Sequence, residues 1–133
     1  MQKLIILLTT IVLVIGCKSQ KIVTDSAGNK VPQITWEQQT LHLGEVKLGD
    51  SKSMKFNFTN TGSANLEIEL VTSCKCTTLD WPRQPIAPGE QGVVSVTYDS
   101  TDQALGELFK TVDIIANTDP IVVEAFFKVV VVE

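Results

Sequence analysis

From Met54 onward the apolar residues of this chain recur at every second position, and that period constrains the fold more than any other feature. Met54, Phe56 and Phe58 alternate with Lys55, Asn57 and Thr59; Leu66, Ile68 and Leu70 alternate with Glu67 and Glu69; Val94, Val96 and Tyr98 alternate with Ser95, Thr97 and Asp99. A period of two sends alternate side chains to opposite faces of an extended strand, so each run is expected to have one face in a core and one in water. Asn60-Thr61-Gly62, Ala87-Pro88-Gly89-Glu90 and Asn117-Thr118-Asp119-Pro120 separate these runs with the residue types that turns favour. Residues 121–133 place Ile121, Val123, Ala125, Phe127, Val129 and Val131 on one face, with Glu124 and Lys128 marking the other. That strand should be paired on both sides, because so apolar an edge would aggregate. No segment has a helical period, and no internal repeat is visible. The pattern predicts an all-β immunoglobulin-like sandwich of about seven antiparallel strands, with a small barrel as the alternative.

The N-terminus is of another kind. Met1-Gln2-Lys3 precedes an apolar run, residues 4–16, broken only by Thr9 and Thr10, which is the pattern of a secretion signal and short for a membrane span. Val14-Ile15-Gly16-Cys17 resembles a bacterial lipobox, which implies cleavage before Cys17 and lipidation of its thiol. A diacylated and N-acylated cysteine carries enough buried chain to hold a protein stably on a membrane that it does not span. Residues 17–31 then read as the lipidated cysteine and a flexible, polar tether, and residues 32–133 as the folded domain. Removing residues 1–16 takes away Lys3 alone among the charges, leaving ten basic against fifteen acidic residues and a net charge of −5. Nucleic acid is a poor partner for such a chain. The remaining 117 residues suit one domain that buries roughly 65% of its unfolded surface.

Three stretches carry a family resemblance: "LGEVKLGDSKSMKFNFTNTGSANLEIELVTSCKCTTLDWP", "IAPGEQGVVSVTYDS" and "GELFKTVDIIAN". Together they look like a family of secreted bacterial domains of unknown function that resembles the Hydin-like and major-sperm-protein-like branch of immunoglobulin folds. The likeness runs from about Leu41 to Phe127, and its signature is Asn-Thr-Gly, Cys-x-Cys-Thr and Pro-Gly-Glu in that order. Lys75 stands between the cysteines, where the family commonly has glycine. The resemblance implies a fold and a secreted compartment, and it brings no activity with it.

Cys74 and Cys76 are the residues with chemistry to offer. Two apart on a straight strand they would lie about 6.6 Å from each other, whereas a disulfide needs Cβ atoms about 3.5–4.5 Å apart. A bond between them therefore requires the strand to end or kink there, as Ser73 and Thr77-Thr78 allow, and an oxidising compartment favours it. Three roles are open: a structural pair, a thiol-exchange pair with Lys75 favouring the thiolate, or soft ligands for copper or zinc. His42 and Met54 are the residues available to complete a metal site, and nothing in the sequence places them there. With one histidine, no Gly-x-Ser-x-Gly and no His-Glu-x-x-His, no nucleophile and base can be paired, and no cofactor is expected. Trp81 and Arg83 follow the cysteines as a candidate partner contact. Ser26 and Ser100, in Asp-Ser-Ala and Asp-Ser-Thr, resemble an O-glycan acceptor pattern of some secreted bacterial proteins. The expectation is a lipid-anchored, non-catalytic envelope protein, facing the periplasm, that binds or scaffolds another envelope protein. The alternative is a thiol-redox or metal-handling protein centred on Cys74 and Cys76.

Overall fold

The computed structural model describes residues 22–24 and 28–133. Eight strands follow one another: β1 (Ile34–Trp36), β2 (Thr40–Lys47), β3 (Ser51–Asn60), β4 (Ile68–Thr72), β5 (Thr77–Asp80), β6 (Gln91–Asp99), β7 (Gly106–Ala116) and β8 (Val122–Val132). They form two four-stranded sheets, ordered β1-β3-β6-β5 in sheet 1 and β2-β8-β7-β4 in sheet 2. This is the expected sandwich with one strand more than expected. The extra strand arises because the N-terminal segment divides: β1 pairs antiparallel with β3, while β2 joins the opposite sheet and runs parallel to β8. That parallel pair departs from the antiparallel expectation, and it gives β8 a partner on each side.

The core forms where the alternation is cleanest. Phe56 and Phe58 of β3 and Val94, Val96 and Tyr98 of β6 point inward from sheet 1, and they meet Val112, Ile114, Ala125, Phe127 and Val129 from sheet 2. Fully burying aliphatic or aromatic side chains of this size stabilises a fold by roughly 1.5–3 kcal/mol each. Tyr98 packs edge-on against Phe127 across the two sheets, with ring centroids 5.7 Å apart. Trp36 sits edge-on against Phe56 and Phe58 and covers the core beside β1.

Two β-bulges alter the expected parity. In β4 the register shifts between Ile68 and Leu70, so Val71 is buried and Leu70, expected inside, is 43% exposed. In β2 the register shifts between His42 and Gly44, which lets Leu43 and Val46, three residues apart, both face the core. Gly44 has φ +75°, a left-handed conformation that a side chain disfavours, and Lys52 Nζ caps the Leu43 carbonyl at 2.7 Å. Ile121, also expected inside, precedes β8 and is 64% exposed.

One polar side chain lies at the end of β3 inside this apolar frame. Asn60 is fully buried. Its carboxamide oxygen accepts the Gln33 N–H (3.2 Å) and the Gly62 N–H (3.0 Å), while its NH₂ donates to the carbonyls of Ala64 (2.8 Å) and Ile86 (2.9 Å). Its main chain donates to Glu90 O and accepts from Gly89 N. Every donor and acceptor that an asparagine side chain possesses is thus used, and all the partners lie in loops. Gly62 completes the arrangement because residues 31–33 run directly over it: a Cβ there would come within 2.4 Å of Gln33 N and Val31 O.

The segment expected to be a free tether is attached earlier than the sequence suggests. Thr24 bridges Lys30, and the Ser63 hydroxyl donates to the Val23 carbonyl. Pro32 is buried. Cys17 and the rest of the signal and tether up to residue 21 lie outside the described residues.

Asn60→Ala should destabilise the domain by about 3 kcal/mol, because it strands the Gln33 and Gly62 N–H groups and the Ala64 carbonyl and leaves Ile86 O with the Leu66 N–H alone. Asn57→Ala, on the solvent side of the same strand, should stay within about 0.5 kcal/mol of the parent. Urea unfolding midpoints of the two variants check this, and equal midpoints would refute the network's role.

Candidate functional site

The chain changes sheets between β4 and β5, and Cys74-Lys75-Cys76 is the corner where it does so. Ser73 ends the strand by donating its hydroxyl to Thr111 O at 2.7 Å. Thr77 then closes a turn, its N–H and hydroxyl both donating to Cys74 O at 3.1 and 2.8 Å, and Asp99 N–H holds Cys76 O at 2.8 Å. The turn brings the two Cα atoms to 5.1 Å, and the sulfurs are joined as a disulfide. The strand end that a bond between these cysteines requires is therefore present. Cys74 and Cys76 are half-buried, Cys76 rests against the core, and Lys75 points to solvent.

The other expected metal ligands are elsewhere. His42 is on β2, at the opposite edge of sheet 2 from β4, and Met54 is a core residue of β3, which β6 separates from β5. Among the described residues no three of His, Cys, Asp and Glu gather where they could hold a metal ion.

Trp81 continues the inward parity of Leu79, and both pack against the core. The Arg83 guanidinium lies over the Trp81 ring, 3.5 Å from its centroid, and Arg83 also approaches Asp80 at 3.9 Å. Both partners of that ion pair are exposed, so it contributes little to stability. Of the expected contact pair, Arg83 is therefore the accessible member, while Trp81 serves to close the sandwich beside β5. The indole N–H groups of Trp36 and Trp81 and the Tyr98 hydroxyl are buried without an acceptor among the described residues. Burial, and secondarily the negative charge of Asp99, hold the Tyr98 phenol above its ordinary pKa. Asp99 is shifted the other way, because the Thr101 N–H and hydroxyl favour its carboxylate.

Ser26 lies outside the described residues. Ser100 is fully buried, and its hydroxyl is directed at the carbonyls of Lys47 and Asp50, 2.6 and 2.8 Å away. This corrects the expectation of a glycan acceptor at Ser100: in the folded chain the oxygen faces inward and closes the β2–β3 loop.

The sequence reading passed over the outer face of sheet 2. Phe109 of β7 is 56% exposed and stacks on Phe126 of β8, with centroids 5.4 Å apart and planes 19° from parallel. Beside them, Ile115 pairs with Val122, and Leu70 pairs with Ile115, forming an apolar row across three strands. Between the two groups Asp113 pairs directly with Glu124. The outer face of sheet 1 is more polar: Ser53, Lys55 and Thr59 on β3 pair with Thr97, Ser95 and Gln91 on β6, and Asn57 pairs with the partly exposed Val93. The signal for the apolar face was in the sequence as doublets, Leu108-Phe109, Ile114-Ile115 and Phe126-Phe127, where strict alternation would place a polar residue second or first.

Comparison with known proteins agrees with this architecture. A protein of unknown function from Porphyromonas gingivalis W83 is 19% identical, with a TM-score of 0.59 over 76% of this chain and 46% of its own. The VesB protease of Vibrio cholerae is also 19% identical, with a TM-score of 0.57 over 76% of this chain and 32% of its own. The ASH / PapD-like domain 7 of human CEP192 is 9% identical, with a TM-score of 0.60 over 77% of this chain and 87% of its own. This chain spans less than half the length of the first two, and at such identities the likeness is one of fold alone. No curated protein matches it. Residues 34–131, nearly the whole sandwich, match the family described as protein of unknown function (DUF1573), and the chain belongs to that family.

Proposed function

We propose that this chain is a non-catalytic binding or scaffolding module of the bacterial cell envelope, anchored by lipid on Cys17 on the periplasmic side, and that the outer face of sheet 2 receives its partner protein. The observation that supports this reading is the contrast between the two outer faces. A sheet face that serves only to meet water carries hydroxyls, amides and charges, as sheet 1 does. Sheet 2 instead presents the Phe109 and Phe126 stack and the Leu70, Ile115, Val122 row. Aromatic anchors on an exposed surface are where binding energy concentrates. Strand addition is a weaker mode for this fold, because its edges are blunted: β1 and β5 have three and four residues, and β2 and β4 are bulged.

A photo-crosslinking residue at Phe109 should yield a discrete adduct in the native host, whereas the same residue at Asn57 on sheet 1 should not. The adduct should be lost on Phe126→Ser without loss of folding. Equal crosslinking from both faces would refute the assignment.

The disulfide supports a second reading, thiol exchange at Cys74 and Cys76, since the bond is half-exposed beside Lys75. So small a loop restrains the unfolded chain by only about 1.5 kcal/mol in the chain-entropy view. Cys74→Ser with Cys76→Ser should therefore lower stability by about that amount and leave crosslinking at Phe109 intact. Exchange chemistry instead predicts that a glutathione buffer reduces and reoxidises the bond in the folded protein, with unchanged circular dichroism.

A further inference from the structure

We infer that the end of the sandwich carrying Ile22, Pro88 and Ile121 stands against the bilayer, and that the Cys74–Cys76 corner is held at the far end, pointing away from it. This rests on the lipid anchor proposed above. The two ends are defined by the strands. The Asn60 turn, the Ala87–Glu90 turn and the loop before β8 share one end, because Thr59 pairs with Gln91 and Ile68 with Ala116. The cysteine corner and the β6–β7 loop share the other, because Thr77 pairs with Tyr98 and Gly106 with Val131.

The N-terminal arm reaches the first of these ends. Ile22 lies in a cleft with Gly62, Ser63, Pro88 and Gly89, while Val23 and Thr24 line a second cleft with Asp119, Pro120 and Val122. The Ser63 hydroxyl pins Val23 to the body. Six residue steps therefore separate Cys17 from the pinned Val23, and an extended chain covers at most about 22 Å over that span. The eleven residues of β8 extend about 36 Å. A lipid on Cys17 can only bring the arm's end of the domain close to the membrane.

Surface chemistry decides between standing and lying. Ile22 and Ile121, 63% and 64% exposed, are the most exposed large apolar side chains described, and both are at this end. The apolar flank of sheet 2, where Phe109 is 56% exposed, is the face assigned above to the partner protein. The charges on the flanks are mixed, Lys55 and Lys128 beside Glu45, Glu107, Asp113 and Glu124, and the processed chain has a net charge of −5. Such flanks gain nothing from anionic headgroups, while two isoleucines at the interface gain from burial. The domain is thereby set on end.

The test uses the full chain, lipidated in a bacterial cell and reconstituted into phosphatidylcholine and phosphatidylglycerol vesicles that contain a headgroup nitroxide lipid. Lys30→Cys and Leu105→Cys are each labelled with bimane without reductant, so the native disulfide stays closed. The two positions lie about 30 Å apart along the strands, so quenching at 30 should exceed that at 105 by at least about threefold. Equal quenching means the domain lies flat, and stronger quenching at 105 means it is inverted; either overturns the proposal while the anchor stands. Protein that fails to float with the vesicles instead removes the anchor, and the proposal falls with it.

Discussion

The buried carboxamide of Asn60 is the point on which the loops of this sandwich depend. Two sheets with alternating apolar faces can pack together without it, because burial is not directional. What burial does not specify is the path of the chain between strands. Asn60 specifies it by hydrogen-bonding the approach to β1, the turn after β3, the Ile86 segment and, through its main chain, the Pro-Gly turn before β6. Asn60 is itself fully buried, so without these partners its own carboxamide would be the orphan. The Asn-Thr-Gly and Pro-Gly-Glu elements of the sequence signature are thus two sides of one hydrogen-bonded knot, and Gly62 belongs to it because residues 31–33 leave no room for a side chain.

With the loops held, the sheets are free to differ from each other outside. Sheet 1 meets water with hydroxyls and amides, and Ser53 and Thr97 bond across its strands at 2.9 Å. Sheet 2 spends part of its outer face on aromatic and aliphatic groups that contribute nothing to the core. Such placement is costly for a protein that remains alone in water. The cysteine corner stands apart from this face, at the place where the chain passes from one sheet to the other.

Much of the fold was legible in period alone. β3, β6 and the body of β8 alternate without interruption, and their inward residues are the core. At Leu70 the reading failed because a single residue is inserted: the bulge at Glu69 shifts the parity by one and turns Leu70 outward. Nothing in a one-dimensional pattern announces a bulge, apart from a glycine in a strand. Ser100 failed for a related reason: it looked like a loop residue, but it borders β6 and inherits its inward parity, as Trp81 does beside β5. The disulfide was legible as a geometric condition, and the corner met it. The outer face of sheet 2 was missed because the alternating residues alone were followed, and the second apolar member of each doublet was given no place.

The placement of β8 also bears on when the domain can fold. It is a central strand of sheet 2, with β2 on one side and β7 on the other, and it is the final strand in chain order. β2, made some eighty residues earlier, has no partner in its sheet until β8 arrives, as the Thr40 to Phe126 pairing makes plain. Such long-range pairing is slow to form. A chain emerging from the ribosome therefore cannot close this core until β8 has been made. The topology itself keeps the polypeptide open up to that point.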